Sequence, residues 1–342
     1  MRRFPLLVLL SLLLAACQGL SSTAVPGHEV ETLATVPLTV AIQPTSTMPV
    51  TPPWVAPITQ PSSTASVGAA ATASPAEVCA DGETFCILEG HFLLRRPIAL
   101  SGHAAIDQTY RYGTTQAGKR EPHHGVEFPN AQGTPVLAAA DGRVVFAGDD
   151  KVVSLAWVPA YYGRVVVIEH HFPGLALPYF SLYAHLFAIK VSEGQQVRAG
   201  ETVGQVGATG KAIGSHLHFE LRAGKNDYRS NRNPELWLAP LAGMGVLAGR
   251  IEDAQGKALK GMLNVQRIEN GVLNPLPVTS LETYVTKETQ PVNGDDVWQE
   301  NFAAGELPAG DYRLTLVYNG AIHEQVVKIA PGNLTFVSFV LK

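Results

Sequence analysis

The sequence predicts a mostly β protein with two folded parts: a Gly-rich antiparallel β-sheet domain over 78–240 and a small β-sandwich over 246–342. Three observations predict it. Short β-branched stretches recur through the first part, among them TPVLAAA, GRVVFAG, GRVVVIEHH, PYFSLYAHL and HLHFELRA. The second part repeats the pattern in GVLAGRIEDAQGKAL, GMLNVQRI and NLTFVSFVLK, with glycine-centred turn signals between stretches. Few segments carry the apolar period of a long amphipathic helix.

The chain opens with a short basic start, MRRF, and an apolar run, PLLVLLSLLLAA, ahead of Cys17. Residues 1–16 read as a secretory signal peptide, too short for a spanning helix. Leu14-Ala15-Ala16-Cys17 resembles a bacterial lipobox, which implies cleavage before Cys17 and a lipid on its thiol. The expected location is therefore the extracytoplasmic face of the cell envelope, with the membrane as a partner through Cys17. From 17 to 77 the chain is Thr, Pro, Ser and Ala without a sustained period, and His28 and Trp54 within it are read as incidental. Such a stretch cannot bury enough surface to offset its ordering entropy and reads as a semi-extended tether.

Cys79 and Cys86 remain, in CADGETFC around an Asp-Gly turn signal, and can close a disulfide in an oxidising compartment. A zinc pair fits less well, because no second Cys or His pair stands nearby at ligand spacing. Net charge is −4 with 16% charged residues, so no basic face suggests nucleic acid.

Within the first domain, Asp141-Gly142 separates TPVLAAA from GRVVFAG and predicts a hairpin. Gly194, Gly200, Gly204, Gly207 and Gly210 recur at intervals suited to tight turns. In the second, Asn319-Gly320 predicts another hairpin, and LPAGDYRLTLVYNG resembles the later strands of a carboxypeptidase-regulatory or transthyretin-like sandwich. No catalytic constellation is visible there; His323 reads as surface. A spacer, or a module binding the cell wall or another envelope ligand, is expected.

Two stretches carry chemistry. In HLHFELRA, strand alternation puts His216 and His218 on one face. In EPHHGVEFPN, His123 and Glu127 share a face if a strand follows Gly125, which would let the backbone turn tightly. A His-His-Glu set is an accepted catalytic zinc combination, but spacing alone leaves open which two of these four imidazoles bind.

HHGVEF, GTPVLAAADGRVVFAG, YGRVVVIEHH, SLYAHL, GQQVRAGETVGQVGATG and SHLHFE resemble, in order and spacing, the lysostaphin/LytM-type zinc endopeptidases, over His123 to Glu220. That resemblance implies Zn²⁺ bound by His123, Glu127 and His218, with His185 and His216 as the catalytic pair. His216 is expected as general base and His185 as hydrogen-bonding stabiliser, although the sequence does not separate the two roles. The chain departs from the family in carrying Glu127 where aspartate is usual: the donor oxygens stay and one methylene is added. His124 falls on a variable position, and His170 and His171 read as structural. His91 and His103 match nothing. Tyr110, Tyr112, Trp157, Tyr161 and Tyr162 could line a groove, with packing the simpler account. The implied activity is zinc-dependent hydrolysis of peptide cross-links or stem peptides in bacterial peptidoglycan. The alternatives are a non-catalytic activator of a cell-wall amidase, or an envelope adhesin with incidental histidines.

Overall fold

Strands form in the predicted stretches GRVVFAG, GRVVVIEHH, PYFSLYAHL and HLHFELRA, and the last two are buried along both faces. The computed structural model describes residue 79, residues 84–287 and residues 291–342, all within one compact unit. The expected signal peptide, lipidated Cys17 and tether lie outside the described residues. No helix among the described residues is long and apolar enough to cross a membrane.

The first part supplies β1 (Phe85–Leu88), β2 (Val126–Pro129), β3 (Pro135–Leu137), β4 (Gly142–Asp149), β5 (Arg164–His170) and β6 (Tyr179–Ala184). It continues with β7 (Ala188–Ile189), β8 (Gln196–Val197), β9 (Thr202–Gln205), β10 (His216–Ala223), β11 (Asn231–Arg232) and a short helix, α1 (Pro234–Trp237). Seven strands form the main antiparallel sheet in the order β11-β10-β6-β5-β4-β8, with β2 also paired to β10. A small sheet, β3-β9-β7, lies beside it.

The second part contains β12 (Met244–Asp253), β13 (Met262–Glu269), β14 (Val272–Leu273), β15 (Thr279–Glu282), β16 (Phe302–Pro308), β17 (Gly310–Tyr318), β18 (Ala321–Ile329) and β19 (Leu334–Leu341). One sheet runs β1-β19-β12-β16 and the other β14-β13-β17-β18, with β15 on β13. Leu247, Phe302, Val337 and Phe339 of the first sheet meet Leu263, Tyr312, Leu314 and Val327 of the second in one apolar core. The mostly β prediction holds throughout.

Two turn signals fared differently. Tyr318 pairs with Ala321 across Asn319-Gly320, both at positive φ, which is the expected two-residue hairpin. Asp141-Gly142 makes no hairpin, because β3 and β4 lie in different sheets. Gly142 is needed for a close approach instead: a Cβ there would stand 2.3 Å from the Glu169 carbonyl of β5. Likewise, Gly204 lies within β9 and Gly207 abuts the Phe187 backbone, so neither serves a tight turn.

Cys79 and Cys86 form a disulfide. The strand that carries Cys86 joins the sandwich: β1 pairs antiparallel with β19, Phe85 opposite Val337. The two parts also share a core, in which Val126, Phe128 and Trp237 cluster with Val246, Ala303 and Phe336. Buried Arg111 pairs with Glu235 of α1, which also accepts the Gly305 N–H from β16.

Buried neutral histidines give this core a pH dependence. His91 donates to the Leu236 carbonyl and stacks on Trp237, and burial drives its pKa down to about 3. His170, bonded to the Asp141 carbonyl and Ser181, is held at about 4, chiefly by burial. The unfolded chain binds a proton on each below pH ~6.5 that the folded protein refuses. Stability therefore falls as pH drops from there toward those values, by up to about 1.4 kcal/mol per pH unit per histidine. Urea midpoints at pH 7 and pH 5 should lie closer together in His91→Phe than in the wild type. An unaltered gap would contradict the neutral, buried state of this ring.

Candidate metal centre

The centre grows from the alternation of β10. Its period of two puts His216, His218, Glu220 and Arg222 on one face and Leu217, Phe219 and Leu221 on the other, packed into the core. Strand β2 pairs antiparallel alongside, with Glu127 opposite His218. Gly125 serves this approach and not a turn. Its φ is not positive, and a Cβ there would lie 2.4 Å from the Phe219 carbonyl and 3.0 Å from the His218 ring. His123 precedes β2 and is held by backbone bonds, Gly113 N–H to its carbonyl and its own N–H to Thr114. His185 follows β6 at φ 59°, an uncommon conformation for a non-glycine residue, with its N–H on the Tyr162 carbonyl.

These elements bring all five sequence-selected residues together. Donor atoms of His123, Glu127 and His218 lie within 4.8 Å of one another. His123 Nε2 is 3.2 Å from His218 Nδ1 and 3.6 Å from Glu127 Oε1. The same Glu127 oxygen lies 3.5 Å from His216 Nε2, so the longer acid reaches both imidazoles. The His185 and His216 ring centres are 4.8 Å apart.

The outer hydrogen bonds decide which nitrogens carry protons. His123 Nδ1 is 2.8 Å from the Tyr110 carbonyl, which can only accept, so the proton sits on Nδ1. His218 Nε2 is 3.1 Å from Glu220, a carboxylate that also accepts from Tyr162 and from Arg222 at 2.9 Å. Burial would raise the Glu220 pKa, but Arg222 and the bonds from His218 and Tyr162 outweigh it and hold the acid well below its usual range. His218 must therefore donate through Nε2. His123 Nε2 and His218 Nδ1 then face each other as two lone pairs at 3.2 Å, and burial keeps His123 neutral by pushing its pKa far down. Two such lone pairs repel unless a cation lies between them. Nitrogen bonds of 2.0–2.1 Å in a tetrahedral site give edges of about 3.3 Å. The donor set fits a metal ion.

The other two imidazoles are oriented alike. His185 gives Nδ1–H to the Thr209 carbonyl at 2.8 Å and His216 gives Nδ1–H to Gly214 at 3.2 Å, leaving both Nε2 atoms as acceptors. Burial, with His218 and His216 beside it, lowers the His185 pKa to about 3. Burial also lowers that of His216, but there Glu127 works in the opposite direction.

A groove of about 480 Å³ opens over the centre, lined also by Tyr110, Arg120, Tyr161, Lys211 and Ile213. Tyr110 stacks on His123 with ring centres 4.0 Å apart, so it is both wall and support. Trp157 is largely exposed beside Tyr161, whereas Tyr112 is buried, bonded to Asn231 and Asn293. His124 is buried against Tyr228 and is not one of the three donors, and His171 is exposed beside Glu169. Of the supporting trio, Glu220 and Arg222 went unassigned in the sequence reading, and Tyr162, given there to groove lining or packing, is buried and donates to Glu220. The alternation in HLHFELR was the signal for two of its members.

Residues 121–231 match peptidase family M23. Three relatives illustrate the likeness. The DD-carboxypeptidase/endopeptidase Mpg of Neisseria meningitidis serogroup B is 42% identical over 29% of this chain and 20% of its own length. Peptidoglycan DD-endopeptidase ShyB of Vibrio cholerae is 33% identical over 34% of this chain and 26% of its own. Murein hydrolase activator NlpD of Escherichia coli is 32% identical over 32% and 24%, respectively. The chain thus spans about a quarter or less of the length of these relatives.

Proposed function

We propose that this protein is a zinc-dependent endopeptidase that hydrolyses peptide cross-links or stem peptides of bacterial cell-wall peptidoglycan. The observation that carries the reading is the pair of facing lone pairs on His123 and His218, with the Glu127 carboxylate beside them. These three residues would hold the ion. Zinc supplies there a charge that polarises an amide carbonyl and lowers the pKa of water toward about 7.

The remaining steps fall to side chains of the protein. His216 Nε2 accepts a proton, and the cation formed faces Glu127 at 3.5 Å, which favours it as general base. Burial, with His218 and His216 beside it, makes a proton placed on His185 strongly acidic. Such a group suits brief donation to a developing oxyanion or a departing amine. The groove accepts an extended peptide across the five residues. The names of the relatives Mpg and ShyB support DD-peptide chemistry and a peptidoglycan substrate. The basic and apolar start with Cys17 supports export and a lipid anchor in the cell envelope.

The test is release of soluble peptides from purified peptidoglycan by the detergent-solubilised protein, after chelation and after zinc is restored, with products identified by mass. Chelation should abolish release and zinc should recover it. A folded, zinc-loaded protein that releases nothing from several wall types would overturn the hydrolase. It would favour an amidase activator, the reading to which the likeness to NlpD points.

A further inference from the structure

Glu282 ends β15 in the sandwich, yet most of its hydrogen bonds go to the peptidase part. Its Oε2 accepts the Thr115 N–H at 2.8 Å and the Thr114 hydroxyl at 3.1 Å; its Oε1 accepts the Thr115 hydroxyl at 2.7 Å. Lys260 pairs with it at 3.0 Å, and the carboxylate side chain is only 9% exposed. Burial is outweighed by the Thr115 and Lys260 bonds, which hold its pKa at about 2, so it stays ionised. Two residues on, Tyr284 presses its ring against the neighbouring turn: a Cβ on Gly113 would come within 2.5 Å of it.

The pinned segment is the one that holds the first metal-binding candidate. Thr114 offers its carbonyl to the His123 N–H, Gly113 donates to the His123 carbonyl, and the Tyr110 carbonyl fixes the His123 ring. Chain 110–115 therefore wraps His123 on its backbone and ring sides at once. A shift of this turn moves His123 Nε2 relative to His218, which sits on β10 of the main sheet.

We infer that Glu282 is a positioning residue for the metal centre, through which the sandwich sets the place of His123. The inference rests on the zinc reading above, and it gives the second part a role in assembling the site, beyond any spacing or wall-binding role.

The experiment measures zinc affinity by chelator competition, and the absorption of the cobalt-substituted protein, in the full chain. Glu282→Gln keeps the shape but removes the charge and one acceptor oxygen. It should weaken zinc binding by about tenfold, as loss of outer support does at metal sites, and shift the cobalt bands. Thr115→Val, which removes the hydroxyl bond to Glu282 and keeps the N–H one, should move both readouts in the same direction and carries the test if Glu282→Gln does not fold. Asp296→Asn breaks the sandwich's ion pair to Arg232 and controls for mere loosening of the contact; it should bind zinc as the wild type does. If Glu282→Gln and Thr115→Val both match Asp296→Asn, the inference is wrong. A wild type that binds no zinc would defeat the zinc reading and this inference together. One that binds zinc but releases no peptides would defeat only the hydrolase, leaving the comparison of variants intact.

Discussion

The His218→Ala variant is expected to lose zinc affinity by more than about 100-fold, above the 10–100-fold seen when only an outer partner is removed, and to release no peptides from peptidoglycan. Losing this ring removes one of the two facing nitrogens and leaves His123 Nε2 with only Glu127. It also cuts the link from the centre to Glu220. The fold should survive, because Glu220 keeps Arg222 and Tyr162 as partners. His124→Ala supplies the contrast: that ring is about as buried and follows His123 directly in sequence, but it packs on Tyr228. It should retain the metal. Zinc content by mass and peptide release decide the matter together. A His218→Ala protein that keeps stoichiometric zinc and its hydrolysis would sink the assigned donor set.

Glu220→Gln is expected to cost the most stability, because it removes half of a fully buried ion pair. Both Glu220 and Arg222 are 0% exposed, 2.8 Å apart. Breaking one partner of such a pair costs about 3–5 kcal/mol, since the other charge is left without compensation. Arg222 keeps bonds to Asn226 and the Leu155 carbonyl, which soften the loss without replacing the charge. The same change frees the His218 ring, so zinc affinity should drop by about 10–100-fold. A Glu220→Gln/Arg222→Met double variant separates the two effects: stability should return in large part, whereas zinc affinity should not. Acid adds a further check. Glu220 is held below its ordinary pKa of 4.5, so its contribution is full above that value and fades as pH falls toward the folded-state value. The single variant should lose that part of the acid sensitivity. Wild-type urea midpoints in Glu220→Gln would refute the account.

Part of the centre was legible in residue order because a strand writes it in a period of two. HLHFELR shows its same-face residues directly, and β pairing then sets His218 opposite Glu127, whereas His123 lies ahead of β2 and is placed by Gly113 and Thr114. Asn319-Gly320 was equally readable, since a two-residue hairpin is local. The failures are long-range. Asp141-Gly142 has the chemistry of a turn, but the steric demand there comes from Glu169 on another strand. Gly125 was selected for flexibility, while its real constraint is the Phe219 carbonyl ninety-odd residues away. The hold of Glu282 on Thr114 and Thr115 left no local mark, since an acid at the end of a strand looks like ordinary surface. Glu220 and Arg222 could have been read from alternation alone, because two charges on the buried face of a strand must satisfy each other.

The pairing of β1 with β19 carries a consequence for biogenesis. A chain made from its N-terminus lays down Phe85–Leu88 early, but the partner of that strand, Leu334–Leu341, is synthesised far later. The parallel neighbour of β12 is that same late strand. Closing so long a loop is entropically unfavourable and makes such contacts slow to form. The four-stranded sheet is thus completed at the end of assembly, and a translation product stopped near 240 lacks both that sheet and Glu282. Assembly of the metal centre is thereby expected to wait on the finished polypeptide, since a product stopped near 240 leaves Thr114 and Thr115 without Glu282.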